Sequence, residues 1–173
     1  MSENPGESVR PADSPIVEVT WAYRFSAAHR LHNPRFSPTE NARIYGRCNN
    51  PSGHGHTYCM EVTIRGPVSA EIGGVDGGAL LDEVVRSRVI QRFDRGNLDL
   101  LVDPAIGPTS TTEVLAGSIW RILDAALPAG MLSRLRLEET ANNFFELDRH
   151  GESRVSDPAA ARTAGRGQKA SPA

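Results

Sequence analysis

Three histidines in this chain, His29, His54 and His56, have the residue type and spacing of a metal site. Residues two apart on a β-strand project to the same face, so the His54-Gly55-His56 run presents both imidazoles to one ion. His29 lies at the end of the strand that we expect beside them and can supply a third nitrogen. Three histidines without a fourth protein ligand leave a coordination position open, which is typical of catalytic zinc sites.

These histidines also have a plainer interpretation. His54 and His56 can simply begin a polar strand, with His29 unrelated to them. His32 is close to the cluster in sequence, but it falls on a loop where an exposed histidine needs no metal. We therefore expect His32 to be a bystander.

Glu139 is a second side chain whose position calls for a partner. It follows Leu135 and Leu137 at alternate positions, so on a strand it shares their apolar face. A carboxylate buried there without a partner is strongly unfavourable. One possible partner is one of the chain's many arginines, and the other is the N–H groups of a bound ligand.

Hydrophobic periodicity predicts the elements that must carry these side chains. Alternation of apolar and polar residues predicts strands at about 16–27 and 54–68, followed by two shorter ones at 132–139 and 143–148. Helical spacing predicts one helix over about 80–90 and a second that starts at a Ser110–Glu113 capping box and ends near Leu127. The order strand-strand-helix-helix-strand-strand predicts an α+β fold, an antiparallel sheet with two helices on one face.

Composition limits the setting in which this domain works. Residues 1–14 and 151–173 are rich in small, polar and charged residues and are expected to be disordered tails around a domain at 15–150. The net charge is -2 and Lys169 is the sole lysine, so we expect no nucleic-acid partner. No apolar run reaches the roughly 18 residues of a membrane span, and the N-terminus lacks the pattern of a signal peptide. Cys48 and Cys59 do not suggest a disulfide framework, so we expect a cytoplasmic protein without membrane partners.

Two segments resemble a known family. FSAAH at 25–29 and GRCNNPSGHGH at 46–56 are similar to the signature of the 6-pyruvoyltetrahydropterin synthases and the related 6-carboxytetrahydropterin synthases. Weaker matches follow in order at 97–99, 110–113 and 139–143, so the resemblance covers about residues 16–149. The spacing from Cys48 to His54 is closer to the pyruvoyl-forming branch.

The resemblance implies a fold, a reaction and an assembly. The fold would be of the tunnelling type, and the chain would form a ring, commonly a homohexamer of two trimers, with active sites at subunit interfaces. The reaction would convert 7,8-dihydroneopterin triphosphate to 6-pyruvoyltetrahydropterin with loss of triphosphate. The substrate is therefore a small pterin, and the cofactor is Zn²⁺.

The resemblance also assigns roles to residues. His29, His54 and His56 would hold the zinc, and Cys48 would be the proton-abstracting base. Glu139 would anchor the pterin ring through paired hydrogen bonds, and Thr111 and Thr112 would add hydrogen bonds to it. The two threonines also have a structural explanation as part of a helix cap. We expect Cys59 only to pack.

One position departs from the family pattern. The family completes a proton relay with an Asp-His pair, whereas this chain has Asp94 followed by Arg95. Arginine stays protonated and cannot exchange protons near neutral pH, although it can stabilise a thiolate or bind a phosphate. Three functions therefore stay open: the pyruvoyl-forming lyase, the carboxy-forming lyase, and a divergent member with an altered substrate or with pterin binding alone.

Overall fold

The computed structural model describes residues 14–149. Apart from Ser14, the tails expected to be disordered, 1–14 and 151–173, lie outside the described residues. Within residues 14–149, four antiparallel strands form one sheet in the order of the chain. They are β1 (Ile16–His29), β2 (His54–Pro67), β3 (Leu132–Thr140) and β4 (Asn143–Asp148).

β1 extends two residues beyond the predicted end at Ala27. It pairs with β2 along its whole length, from Ile16 opposite Pro67 to His29 opposite His54. The extension follows from this pairing, because β2 continues to offer hydrogen-bonding partners to the last residues of β1. As a result, His29 belongs to the sheet.

Five α-helices lie within residues 14–149, and the longest of them packs on one face of the sheet. In chain order they are α1 (Pro38–Tyr45), α2 (Gly78–Val84), α3 (Gln91–Phe93), α4 (Leu98–Leu101) and α5 (Thr112–Ala126). A π-helical stretch, Val85–Ile90, joins α2 to α3, so these form the first predicted helix, and α5 is the second. The α+β prediction is confirmed. None of the helices within residues 14–149 has the length and apolar character to cross a bilayer.

The core lies between the sheet and these two helical segments. The inward side chains of β2 after the histidines are Tyr58, Met60, Val62 and Ile64, and all four are fully buried. Leu115, Ile119 and Leu123 of α5 are fully buried as well. Burying each side chain of this size contributes about 1.5–3 kcal/mol, so this face holds the helices on the sheet.

Helix α1 was not predicted, because the sequence analysis located helices by their apolar stripes and α1 has none. Its start is a capping box between Ser37 and Glu40, and its one buried residue is Asn41. The Asn41 amide accepts from the Asn33 N–H at 2.8 Å and donates to the carbonyl oxygens of Asn33, Phe36 and Ser37. Polar contacts of this kind leave no hydrophobic period in the sequence.

The prediction of Ser110 as the cap of α5 is wrong by one residue. The Thr111 hydroxyl accepts from the Val114 N–H, and the helix begins at Thr112. Ser110 is almost fully buried, and its hydroxyl donates to the Asp99 carboxylate. Both residues suit a helix cap, so composition favoured neither, and the tertiary partner of Ser110 decided between them.

Candidate metal centre

The strand register brings the three histidines together. His29 lies opposite His54, and Ala27 lies opposite His56, so the three imidazoles share the inner face at one end of the sheet. Their ring centroids are 4.6 to 5.3 Å apart. One ligand nitrogen from each lies within 4.8 Å of the other two. The three histidines that the sequence singled out are therefore close enough together to hold one metal ion.

A glycine allows the two strands to come this close before His54. Gly53 has a φ of +67°, and a Cβ there would lie 3.0 Å from the carbonyl oxygen of His29. A side chain at position 53 would therefore be both conformationally strained and crowded against the backbone of a candidate ligand. The Gly-His-Gly-His pattern thus has a structural reason as well as a chemical one.

The nitrogen atoms of the cluster fit a bound cation. His29 Nδ1 lies 2.7 Å from the Ser110 carbonyl oxygen, and because a carbonyl only accepts, Nδ1 carries the proton and Nε2 has the free lone pair. His29 Nε2 and both ring nitrogens of His54 are buried without a hydrogen-bond partner among the described residues. Burial and the neighbouring His29 and His56 lower the pKa of His54, which favours the neutral form that binds metal.

Glu139 lies directly beside this cluster. Its Oε1 atom is 3.5 Å from Nε2 of both His29 and His56. Asn143 donates to its Oε2 atom at 2.8 Å, and the Tyr58 hydroxyl donates to Oε1 at 3.4 Å. Within residues 14–149 no arginine pairs with Glu139, and its carboxylate instead faces the histidines and the Tyr58 and Asn143 donors.

Tyr58 and Asn143 are site residues that the sequence analysis missed. Burial and the Glu139 carboxylate raise the pKa of Tyr58, so its phenol stays protonated and remains a donor. Tyr58 lies two residues after His56 on the same face of β2, and this spacing was a usable signal. Asn143 lies in the segment 139–143 that resembles the family, but its contact with Glu139 could not be read from the sequence, because the turn between β3 and β4 sets its position.

The two predicted threonines border the same region. Thr112 is buried, and its hydroxyl interacts with Tyr58. Thr111 is half-buried, and its hydroxyl caps α5. Thr112 therefore contacts a neighbour of Glu139, whereas the visible role of Thr111 is structural.

Cys48 lies in a 3₁₀ turn, Gly46–Asn49, which is tied to the chain just after His29. The Leu31 N–H donates to the Cys48 carbonyl at 2.8 Å, and the Asn49 amide donates to the Leu31 carbonyl and to His32. The Cys48 side chain is half-buried and is not in a disulfide. His32, which we expected to be exposed, is half-buried and bonded to Asn49, outside the metal cluster.

Asp94 and Arg95 lie at the outer edge of β1. Asp94 accepts from the Ser26 N–H at 2.9 Å, and Arg95 has a φ of +58° with its side chain 91% exposed. Arg95 lines an open groove of about 360 Å³ with residues of β1 and β2 that include Ser26, Thr57 and the candidate ligand His56. Among residues 14–149, no hydrogen bond or ion pair joins Asp94 or Arg95 to Cys48 or to the histidines.

Cys59, which we expected only to pack, lies on the outer face of β2. It is half-buried and unpaired, and it lines a second groove with Arg24, Glu61 and Arg136. Within residues 14–149, it makes no contact with the metal cluster.

Known proteins resemble this chain over most of its length. The family described as 6-pyruvoyl tetrahydropterin synthase matches residues 18–150. The 6-pyruvoyl tetrahydrobiopterin synthase of Poecilia reticulata is 40% identical over 83% of this chain and 96% of its own, and the human protein is 39% identical over 74% and 88%. The structure of the Caenorhabditis elegans 6-pyruvoyl tetrahydropterin synthase superposes with a TM-score of 0.71 at 36% identity, covering 78% of this chain and 96% of the other.

The His54→Ala substitution should remove most of the metal, because it deletes one of three nitrogens on which the site depends. Metal analysis of the purified full chain should give close to one ion per wild-type chain. The matched control is His32→Ala, which removes a nearby imidazole that lies outside the cluster. Full metal occupancy in His54→Ala would show that His54 is not a ligand.

Proposed function

The chain belongs to the 6-pyruvoyl tetrahydropterin synthase family, and on that premise we propose that it is a zinc-dependent lyase. Its substrate is 7,8-dihydroneopterin triphosphate and its product is 6-pyruvoyltetrahydropterin, formed with elimination of triphosphate. Two free cysteines, Cys48 and Cys59, suit a reducing compartment, and we place the enzyme in the cytoplasm.

The three histidine nitrogens support zinc as the metal. Three neutral imidazoles on one face suit a tetrahedral ion that keeps one position for substrate. A zinc ion there would supply a Lewis acid that polarises the hydroxyl groups of the substrate side chain. His29 is the most constrained ligand, because the Ser110 carbonyl fixes its tautomer.

The observation that carries the proposal is the position of Glu139 beside the three histidines. Its Oε1 atom is 3.5 Å from Nε2 of both His29 and His56, so one bound molecule can touch both the carboxylate and the metal. Asn143 holds the other oxygen, which orients the carboxylate. A carboxylate of this kind is a bidentate acceptor for the N–H and amino donors of a pterin ring. Thr111 and Thr112, at the start of α5, are proposed to add hydrogen bonds to that ring.

We assign Cys48 as the proton-abstracting base. Its turn is fixed to Leu31, two residues beyond the ligand His29, so the thiol belongs to the same end of the sheet. A thiol acts as a base only when ionised, and a nearby cation favours ionisation. In this proposal two cations favour ionisation of the Cys48 thiol, a metal ion at the histidine cluster and the guanidinium of Arg95.

Asp94 and Arg95 complete the catalytic group in this proposal through assembly of several chains. They lie at the outer edge of β1, and both side chains are exposed, with no bond to Cys48 in the same chain. A homohexamer of two trimers with interface active sites would allow the pair to approach the Cys48 of a second copy. The 91% exposure of the Arg95 side chain at the edge of β1 leaves it accessible to a second chain, which is consistent with that arrangement.

Arg95 also supports a second candidate function. Because arginine cannot exchange protons, the second candidate is a chain that keeps pterin binding and uses it for another substrate, for the carboxy-forming reaction, or for binding alone. Mass spectrometry after incubation with 7,8-dihydroneopterin triphosphate distinguishes these. We expect 6-pyruvoyltetrahydropterin and triphosphate. Formation of 6-carboxytetrahydropterin with acetaldehyde, or bound substrate without product, would replace the leading proposal.

The Glu139→Gln substitution should weaken pterin binding by about 1.5–3 kcal/mol, the size of a lost charge-assisted contact. Isothermal titration calorimetry with a pterin ligand measures it, and metal content should stay unchanged. Glu138→Gln is the matched control, since the neighbouring Glu138 pairs with Arg136 at 3.0 Å on the outer face. Equal pterin affinity in wild type and Glu139→Gln would remove Glu139 from the site.

The Arg95→His substitution should raise the rate of 6-pyruvoyltetrahydropterin formation, because it restores a side chain that can exchange protons. A well-placed general acid or base contributes about 100-fold to 10,000-fold, so the gain should exceed assay error. The control is Arg88→His at another exposed arginine, on the π-helical stretch. A fall in native activity would instead assign Arg95 to stabilising a thiolate or binding an anion, and no change would place it outside the chemistry.

A further inference from the structure

We propose that Asp99 is a positioning residue for the metal centre. It acts by holding Ser110, whose carbonyl bonds the His29 ring, and Arg30, the residue that follows His29. The inference rests on the proposed metal site, and it concerns a segment, 97–99, to which the proposed reaction gives no role. Asp99 is itself outside the cluster. Its effect reaches the metal through the Ser110 carbonyl and through the backbone that follows His29.

Ser110 contacts the candidate ligand His29 directly. The Ser110 carbonyl accepts from His29 Nδ1 at 2.7 Å, and both residues are about 2% exposed. This bond fixes the ring tautomer and aims Nε2 at the other two histidines. Ser110 therefore has to be held in place for His29 to remain a ligand of defined orientation.

The carboxylate of Asp99 holds Ser110 in place. The Ser110 hydroxyl donates to Asp99 Oδ1. The same carboxylate accepts from the Arg30 N–H, at 3.2 Å to Oδ1 and 3.1 Å to Oδ2. Arg30 directly follows His29, so one carboxylate binds both the residue after the ligand and the residue that hydrogen-bonds its ring.

Asp99 is itself held in place by Asn97. Asn97 caps helix α4, and its side chain accepts from the Asp99 N–H at 3.0 Å. Asn97 also pairs with Ala28 as an additional short bridge on β1, next to His29. The segment therefore approaches the end of β1 from its open edge and presents the carboxylate at a fixed position.

The test is the zinc affinity of the full chain, measured by competition with a chromophoric chelator. Outer-shell partners of metal ligands typically change metal affinity by 10-fold to 100-fold, so Asp99→Ala should raise the zinc Kd by about 10-fold or more. Asp99→Asn keeps an acceptor for the Arg30 N–H and should fall between wild type and Asp99→Ala. The Co²⁺ absorption spectrum should also change in Asp99→Ala, because His29 loses its fixed orientation.

A matched control separates positioning from general stability. Asp103 is another loop carboxylate, which accepts from the Ala105 N–H and from Arg121 and has no link to His29. Asp103→Ala should leave the zinc Kd unchanged even if the metal-free melting temperature falls. An Asp99→Ala chain that melts lower without metal but binds zinc as tightly as wild type would overturn the proposal.

Two further measurements cover failure to fold and failure of the parent proposal. If Asp99→Ala does not fold, Ser110→Ala provides the test in its place, because it keeps the carbonyl and deletes only the hydroxyl that bonds Asp99. Ser110→Ala should weaken zinc binding, and an unchanged zinc affinity would count against the proposal. Where both fold, the double variant should lose less than the product of the single losses, because each removes the same bond. A wild-type chain that binds no metal would instead refute the metal site itself.

Discussion

The pairing register of β1 and β2 is the constraint on which the rest of this structure depends. It places His29 opposite His54 and Ala27 opposite His56, so three imidazoles meet on one face. Because side chains alternate along a strand, a slip of one residue would turn His54 and His56 to the outer face and would expose the apolar side chains that follow them. Burial of Tyr58, Met60, Val62 and Ile64 therefore specifies the same register that brings the three histidines together.

One face of the sheet thus serves both as hydrophobic core and as chemical site. Along β2 the inward positions change from two histidines, through Tyr58, to fully buried apolar residues. Tyr58 lies between the polar and the apolar part of this face, since its ring is buried in the core while its hydroxyl donates to Glu139. The rigid packing of the apolar part holds the polar part in place, which lets imidazoles with unpaired nitrogens persist at the end of the sheet.

The elements outside the sheet complete the site by polar contacts. Hydrogen bonds fix the turn with Cys48, the segment 97–99 and the residues before α5 to His29 and to the two residues that follow it. Asp94 and Arg95 are fixed to β1 as well, but at its outer edge and exposed to solvent. Among residues 14–149 no hydrogen bond or ion pair joins these two residues to Cys48 or to the histidines, and the proposed chemistry brings them to Cys48 through assembly.

Hydrophobic periodicity and local spacing were enough to predict the four strands, the two main helices and the three-histidine cluster. These features repeat with a fixed period or lie two residues apart on one strand, so the sequence itself records them. The tertiary structure decided the rest. It set the partners of Glu139, the capping of α5 by Thr111 instead of Ser110, the polar helix α1, and the exposed position of Arg95 at the edge of β1. Most of these depend on contacts between segments far apart in the chain, such as Tyr58 with Glu139 and Ser110 with His29, and such contacts leave no local pattern that a single sequence can show. Helix α1 instead depends on polar contacts among residues 33–41, which have no hydrophobic period.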